Sequence, residues 1–251
     1  MYGTLVLAVL LIGISLANGW YSLVPFCLAI VLVASYFLAA YVFLAYQLVG
    51  PPDRNTADSL YQLSQIRPND HVVCVDLGLR ETAIEIARHL TTGEVFVVDV
   101  YNPQSNDGAA LRRARKIARK PPSDPRLNWI DGTVSLLPLP DHSVEAVFMN
   151  QILSEFWLPE EQDALLHEIM RVLVPEGRLL IAERVRPQSN LLLTGIVTWA
   201  WPSAGQWSSM LKRAGFEIRP RDLSHGLLYV ARADKPSAVS GKQMELSLEF
   251  V

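Results

Sequence analysis

Apolar residues are spaced differently in successive parts of this chain. From Met1 to Gly50 they run almost unbroken, and the first charged residue is Asp53. Val24 to Leu48, about 25 residues, would extend roughly 37 Å as a helix, enough to cross a hydrocarbon layer of about 30 Å with some tilt. Pro25 is acceptable in its first turn. Met1 to Ala17 is also apolar but, at roughly 17 residues, sits at the lower limit for a span. Asn18-Gly19 interrupts the run, and Trp20 and Tyr21 suit a membrane–water interface. The pattern predicts a two-helix hairpin with both ends on one side; a single span with an interfacial first segment is the alternative. A signal peptide fits less well, because no Lys or Arg precedes the apolar stretch. Tyr36, Tyr41 and Tyr46 recur at five-residue steps, form no single stripe, and read as packing or interfacial residues.

Beyond Gly50-Pro51-Pro52-Asp53, a short stiff linker, short apolar runs alternate with stretches of helical period. Leu60, Leu63 and Ile66 share a helix face that ends before Pro68. His71 to Asp76 reads as a buried strand, Asp76-Leu77-Gly78 as a turn, and Ala83, Ile84, Ala87 and Leu90 as the inner face of a helix starting at Glu81. Thr91-Thr92-Gly93 stops that helix, and a second strand, Val95 to Val98, closes with Asp99. This is a parallel strand–helix–strand crossover. After a loop from Asn102 to Gly108, a helix with Ala110, Leu111, Ala114, Ile117 and Ala118 inward leads to a strand at Leu127–Ile130. Pro140-Asp141-His142-Ser143 turns into a strand at Val144–Met149 that ends at Asn150. Pro159 to Leu173 is a helix with Leu165, Leu166, Ile169, Val172 and Leu173 inward, stopped by Pro175-Glu176-Gly177 ahead of a strand at Arg178–Arg184. A last helix through Trp207, Met210, Leu211 and Ala214, capped by Gly215, precedes a strand pair at Phe216–Arg219 and Leu227–Arg232. The segment from Leu191 to Pro202 is unusually apolar for a connection; a core helix or lid and a surface dipping into the bilayer both account for it. From Lys235 onward no period is visible.

An acidic residue ending the first strand, a glycine turn facing a helix N-terminus and a second acidic residue ending the next strand point to a nucleoside-containing ligand. These residues, with the Leu136–Phe156 passage LLPLPDHSVEAVFMNQILSEF and the helix–Pro-x-Gly–strand passage after Pro159, resemble the class I S-adenosylmethionine (SAM) dependent methyltransferases, in particular the ubiquinone and menaquinone methyltransferase-like subgroup. The resemblance covers about Arg54 to Arg232. It implies an α/β, Rossmann-like domain with a mostly parallel seven-stranded sheet, here preceded by one or two transmembrane helices, and SAM as cofactor. It further implies that Asp76 and Gly78 line the methionine side, Asp99 accepts from the ribose hydroxyls, Gly132 and Thr133 border the adenine, and Asn150 sits near the transferred methyl. The chain departs from the family where Arg80 and Thr82 replace the second and third glycines of the first turn. It departs again where Thr133 replaces an acidic residue that would receive the adenine amino group; Asp131 stands two residues earlier. The layout is therefore a membrane segment at 1–50, a linker at 51–56, the α/β domain at 57–234 and a tail at 235–251.

The net charge of −3 argues against general nucleic-acid binding. The helix near residue 115 carries Arg112, Arg113, Arg115, Lys116, Arg119 and Lys120, a solvated face or a surface for anionic headgroups; the second reading favours a cytoplasmic domain. Cys27 and Cys74 lie in separate segments and have no disulfide or metal-ligand spacing. His142, in a turn, and His167, among charged neighbours, read as surface residues. Glu155 faces either the pocket or solvent, and Glu183 is either an acceptor-side carboxylate or paired with a basic neighbour. No general base is assigned. The chain thus reads as a membrane-anchored methyltransferase for an apolar acceptor such as a quinone, lipid or pigment precursor. Its alternatives are a catalytically inactive subunit of a membrane complex, joined to other membrane proteins through the hairpin, and a metabolite sensor using the same crevice.

Overall fold

The structure is a computed structural model, and it describes residues 2–49, 56–106, 108–118, 123–186, 200–219 and 227–237. The chain divides into two compact units, Met1–Pro51 with Arg186–Trp201, and Pro52–Val185 with Pro202–Val251. The apolar connection from Leu191 and the tail beyond residue 237 lie outside the described residues, apart from Ala200, Trp201 and Pro202 at the end of that connection.

In the first unit helices α1 (Tyr2–Ala17) and α2 (Val24–Val49) pack on each other across a turn and a single 3-10 turn, Tyr21–Leu23. The turn satisfies its own polar groups: the buried Ser15 hydroxyl donates to the Trp20 carbonyl at 2.6 Å, and the Asn18 amide donates to the Ile14 carbonyl at 2.8 Å. Internal pairing of this kind is what an apolar medium demands. Among the described residues one helix, over Tyr21–Phe43, is long and apolar enough to cross a membrane. Leu28, Ile30, Leu32, Val33 and Phe37 on it are all exposed. The 16 residues of α1 reach only about 24 Å as a helix, less than a hydrocarbon core of about 30 Å.

The second unit is built on one seven-stranded sheet in the order β3-β2-β1-β4-β5-β7-β6. Strands β1 (Val72–Asp76), β2 (Val95–Asp99), β3 (Leu127–Asp131), β4 (Val144–Asn150) and β5 (Leu173–Arg184) are parallel; β7 (Leu228–Asp234) runs antiparallel between β5 and the two-residue β6 (Glu217–Ile218). Every residue of β1 is buried, as a Val-rich strand covered on both faces should be. The chain leaves β1 toward β2 and β3 on one side and returns to β4 on the other, so the strand order reverses between β1 and β4. Ligands of open α/β sheets collect outside the carboxyl ends at such a reversal.

Helix α3 (Thr56–Ser64) buries Leu60 and Leu63, α4 (Glu81–His89) buries Ala83, Ile86 and Ala87, and α6 (Pro159–Val172) buries Leu165, Leu166, Ile169 and Val172. Lys235 caps α6 by donating to the carbonyls of Met170 and Leu173, each at 2.6 Å. Helix α7 (Ala204–Arg213) starts in a reciprocal capping box between Ser203 and Gln206.

Two local expectations fail for identifiable reasons. Pro175-Glu176-Gly177 does not separate a helix from a strand; α6 ends at Val172, Leu173 already pairs with Val144, and the next pair of the ladder is Ala146 with Arg178. The Pro-Glu-Gly segment is a looped-out irregularity inside β5, where the missing proline N–H and the positive φ of Glu176, 63°, suit a break in pairing. Helix α5 (Ala109–Ile117) buries only Leu111, and Ala110 and Ile117 face out. Its inner face also carries the charged Arg115. Leu111→Ala should therefore cost about 2–5 kcal/mol and Ile117→Ala, at 84% exposure, no more than about 0.5 kcal/mol. Denaturant midpoints of the two variants check this; equal losses would restore Ile117 to the core.

Candidate functional site

The register brings Asp76, Asp99 and Asp131 side by side at the carboxyl ends of β1, β2 and β3. Asn150 ends the neighbouring β4 on the other side of β1. The sheet thus gathers the first-turn, ribose-side and β4-end candidates along one edge, with Gly132 and Thr133 following directly on Asp131.

Asp76 is turned onto its own loop. Its carboxylate accepts from the backbone N–H of Leu79 at 2.6 Å and of Arg80 at 2.8 Å, which holds the turn and starts α4. Burial raises its pKa and nearby Asp99 adds to the rise, while the backbone donors oppose it. Gly78 has φ +78°, and a Cβ there would stand 2.1 Å from Nη1 of Arg115. Arg80, where the family has its second glycine, keeps a left-handed backbone at φ 70° as the N-cap of α4. Arg80 thus holds a conformation that favours glycine, at the steric cost a Cβ carries there.

Thr82, at the third glycine position, has acquired a contact: its hydroxyl accepts from Nδ2 of Asn150 at 3.1 Å. That bond fixes Asn150, whose Oδ1 is buried and has no donor. A buried acceptor without a partner costs about 1–3 kcal/mol and is explained when a ligand supplies the donor.

Asp99 is engaged from within the protein. Its Oδ1 accepts from the Tyr101 N–H at 3.0 Å, and Nη1 of Arg115 lies 3.0 and 2.9 Å from Oδ1 and Oδ2. Arg115, read from sequence as part of a basic face, is the contact to Asp99 that periodicity missed. A lone arginine among six basic residues carries no mark of its inward turn; the signal was its place on the same side as Leu111, one helical turn on. Gly132 donates its N–H to the Asp99 carbonyl at 3.0 Å, and a Cβ on it would fall 2.5 Å from Val98 Cγ1, so close packing requires glycine. Thr133 is exposed, its N–H donates to the Leu136 carbonyl at 3.3 Å, and Asp131 is exposed beside it.

On the β4–β5 side, Glu183 is fully buried, and its oxygens accept from the N–H groups of Ile152, Leu153 and Ser154 and from the Ser154 hydroxyl at 2.5–3.1 Å. Its partner is the 3-10 turn Leu153–Glu155, neither a methyl acceptor nor a basic side chain. Burial nonetheless pushes its pKa up to about 7 against those four bonds. Glu155 is ion-paired with Arg184, whose Nε is buried without a partner. His142 sits in an exposed turn with Nδ1 against Lys235 Nζ at 2.9 Å, and His167 is exposed on α6. Among the described residues no group of His, Cys, Asp and Glu could hold a metal ion.

Residues 82–181 match the family model described as a methyltransferase domain. The second unit has the Rossmann-like fold of the class I SAM-dependent methyltransferases, and the matched residues lie within it. A ubiquinone/menaquinone biosynthesis C-methyltransferase of Pseudomonas putida is 23% identical over 204 residues, 70% of this chain and 76% of that protein. A demethylmenaquinone methyltransferase of Symbiobacterium thermophilum is 27% identical over 140 residues, 54% of this chain and 51% of that one. Among solved structures, the [4+2]-cyclase SpnF superposes with a TM-score of 0.55 at 18% identity, covering 80% of this chain and 97% of its own. A SAM-dependent methyltransferase from Aquifex aeolicus gives 0.54 at 19% identity, covering 71% and 88%. The second unit thus has the methyltransferase fold, with Asp76, Asp99 and Asn150 along the carboxyl edge of its sheet.

Because the folded pKa of Glu183 lies above its ordinary 4.5, its contribution to stability is full below about pH 4.5 and is lost as pH rises through about 7. The stability advantage of the parent over Glu183→Gln should therefore shrink between pH 5 and 7.5 in thermal melts. An advantage that grows over that range would mean that the carboxylate is ionised in the fold.

Proposed function

We propose that the chain is a membrane-anchored SAM-dependent methyltransferase acting on an apolar acceptor of the quinone class. The observation that carries this reading is the buried, donorless Oδ1 of Asn150, held by Thr82 beside the Asp76 turn and suited to a ligand ammonium. Asp76 and Gly78 would hold the methionine end, Asp99 the ribose, and Gly132 and Thr133 the adenine border. The bound cofactor supplies an electrophilic methyl on a sulfonium. What the protein then contributes is alignment of donor and acceptor and exclusion of water.

Deprotonation of the acceptor falls to the acceptor's own acidity, because Glu183 and Glu155 are both engaged in the fold. A hydroquinone meets that demand, since an ionised ring hydroxyl makes its ring carbon nucleophilic. The names of the two bacterial relatives agree with such an acceptor. The segments that follow β3 and β4 also carry exposed Leu136, Trp157 and Leu158, apolar surface of a kind suited to a lipid-soluble substrate.

Anchoring rests on α2, and the hairpin places both of its ends on one side if α1 also crosses. The exposed Arg112, Arg113 and Lys116 favour the cytoplasmic face. A second reading, a catalytically silent subunit of a membrane complex, draws on the way the crevice satisfies itself, with Arg115 on Asp99 and Asn150 on Thr82.

Calorimetric titration of the detergent-solubilised full chain with S-adenosylhomocysteine separates the two. Saturable binding is expected, and Asp99→Asn should weaken it roughly tenfold, because charge-assisted bonds to a diol are worth about 1.5–3 kcal/mol. No binding at millimolar ligand would leave the silent-subunit reading. For the anchor, Thr4→Cys and Lys242→Cys should be labelled from the same side of intact membranes; opposite accessibility would exclude the hairpin topology.

A further inference from the structure

Arg115 lies where a ligand of this crevice would need to be. Its Nη1 donates to both oxygens of Asp99 at 2.9 and 3.0 Å and to the carbonyl oxygen of Leu77 in the first turn. The guanidinium carbon rests 4.0 Å from the centre of the Tyr101 ring. The same nitrogen is 2.1 Å from the position a Cβ on Gly78 would take, so the open side of the glycine turn is filled by this side chain. One arginine from α5 thereby ties the end of β1 to the end of β2.

We propose that Arg115 is a gate that occupies the ribose end of the crevice in the ligand-free protein and must leave Asp99 before a nucleoside ligand enters. The proposal rests on the SAM-binding reading above and adds to it a residue that sets the affinity. A ribose diol needs the two Asp99 oxygens that Nη1 now faces. The clamp is also built to yield: Nη1 has two hydrogens for three oxygens, so its bonds are shared and not all are well formed. The Arg115 and Asp99 side chains keep 27% and 25% of their surface exposed, so water and salt reach the pair.

A gate of this kind reduces apparent affinity by the fraction of molecules with the crevice open. The prediction is that Arg115→Met, which keeps the aliphatic stem and removes the charge, binds S-adenosylhomocysteine up to about fivefold more tightly than the parent, the range a partly exposed pair can impose. Arg115→Lys, able to pair with Asp99 but not to lie flat on Tyr101, should fall between them. S-adenosylhomocysteine carries no net charge, so the affinity of the parent should rise with ionic strength while that of Arg115→Met stays flat.

Titration calorimetry on the full chain in detergent, at low and high salt, reads all of this. If the parent binds and Arg115→Met binds equally or less tightly, Arg115 is a bystander or a ligand contact, and the gate is wrong while the SAM-binding reading stands. If neither protein binds at millimolar ligand, the SAM-binding reading falls and takes the gate with it. Should Arg115→Met fail to fold, the salt response of the parent decides: rising affinity supports the gate, and flat or falling affinity overturns it.

Discussion

The carboxylate of Asp76 sets the geometry on which the rest of the site depends. It is nearly buried, yet it spends both oxygens on two consecutive N–H groups of its own turn. Those bonds hold Arg80 in a left-handed conformation, and from Arg80 the helix α4 starts, with the Ile84 N–H donating to the Arg80 carbonyl at 3.1 Å. One residue beyond Glu81 comes Thr82, whose hydroxyl then meets Asn150 across the reversal of strand order. A single buried acid therefore fixes the turn, the direction of the helix and, through it, the side chain at the end of β4. Burial raises the pKa of this acid, and the N–H bonds of its own turn oppose the rise.

That arrangement changes the meaning of the missing glycines. A glycine-rich turn offers left-handed backbone and room for a ligand. Here the first of these survives at Arg80, and at Thr82 the lost space has been exchanged for a hydroxyl that orients Asn150. The room at Gly78 is retained, but Arg115 fills it. The turn departs from the glycine pattern by making new contacts, while Arg80 keeps the left-handed backbone that a glycine would adopt.

The strand–helix alternation, the order of elements and the edge carrying Asp76, Asp99, Gly132 and Asn150 were legible because buried parallel strands and amphipathic helices leave strong periodic marks. Side-chain direction on a weakly packed helix leaves a much weaker one. On α5 the small residues Ala110 and Ala114 and the terminal Ile117 mimic an apolar face, while the residues that turn inward are Leu111 and an arginine drawn by Asp99. Glu183 was misjudged for a related reason: its partners are backbone N–H groups of a 3-10 turn, and backbone donors have no letter in a sequence. The bulge at Pro175-Glu176-Gly177 looked like a terminator because the same residues serve breaks in helices and in ladders.

The central claim is that the carboxyl edge at β1, β2 and β4 is where this methyltransferase domain holds SAM. Photoaffinity labelling of the membrane-embedded full chain with an azidoadenosyl analogue of SAM, followed by peptide mapping, addresses it directly. The account predicts label within residues 131–136, suppressed by S-adenosylhomocysteine. Label confined to other peptides, or label that S-adenosylhomocysteine does not displace, would contradict it.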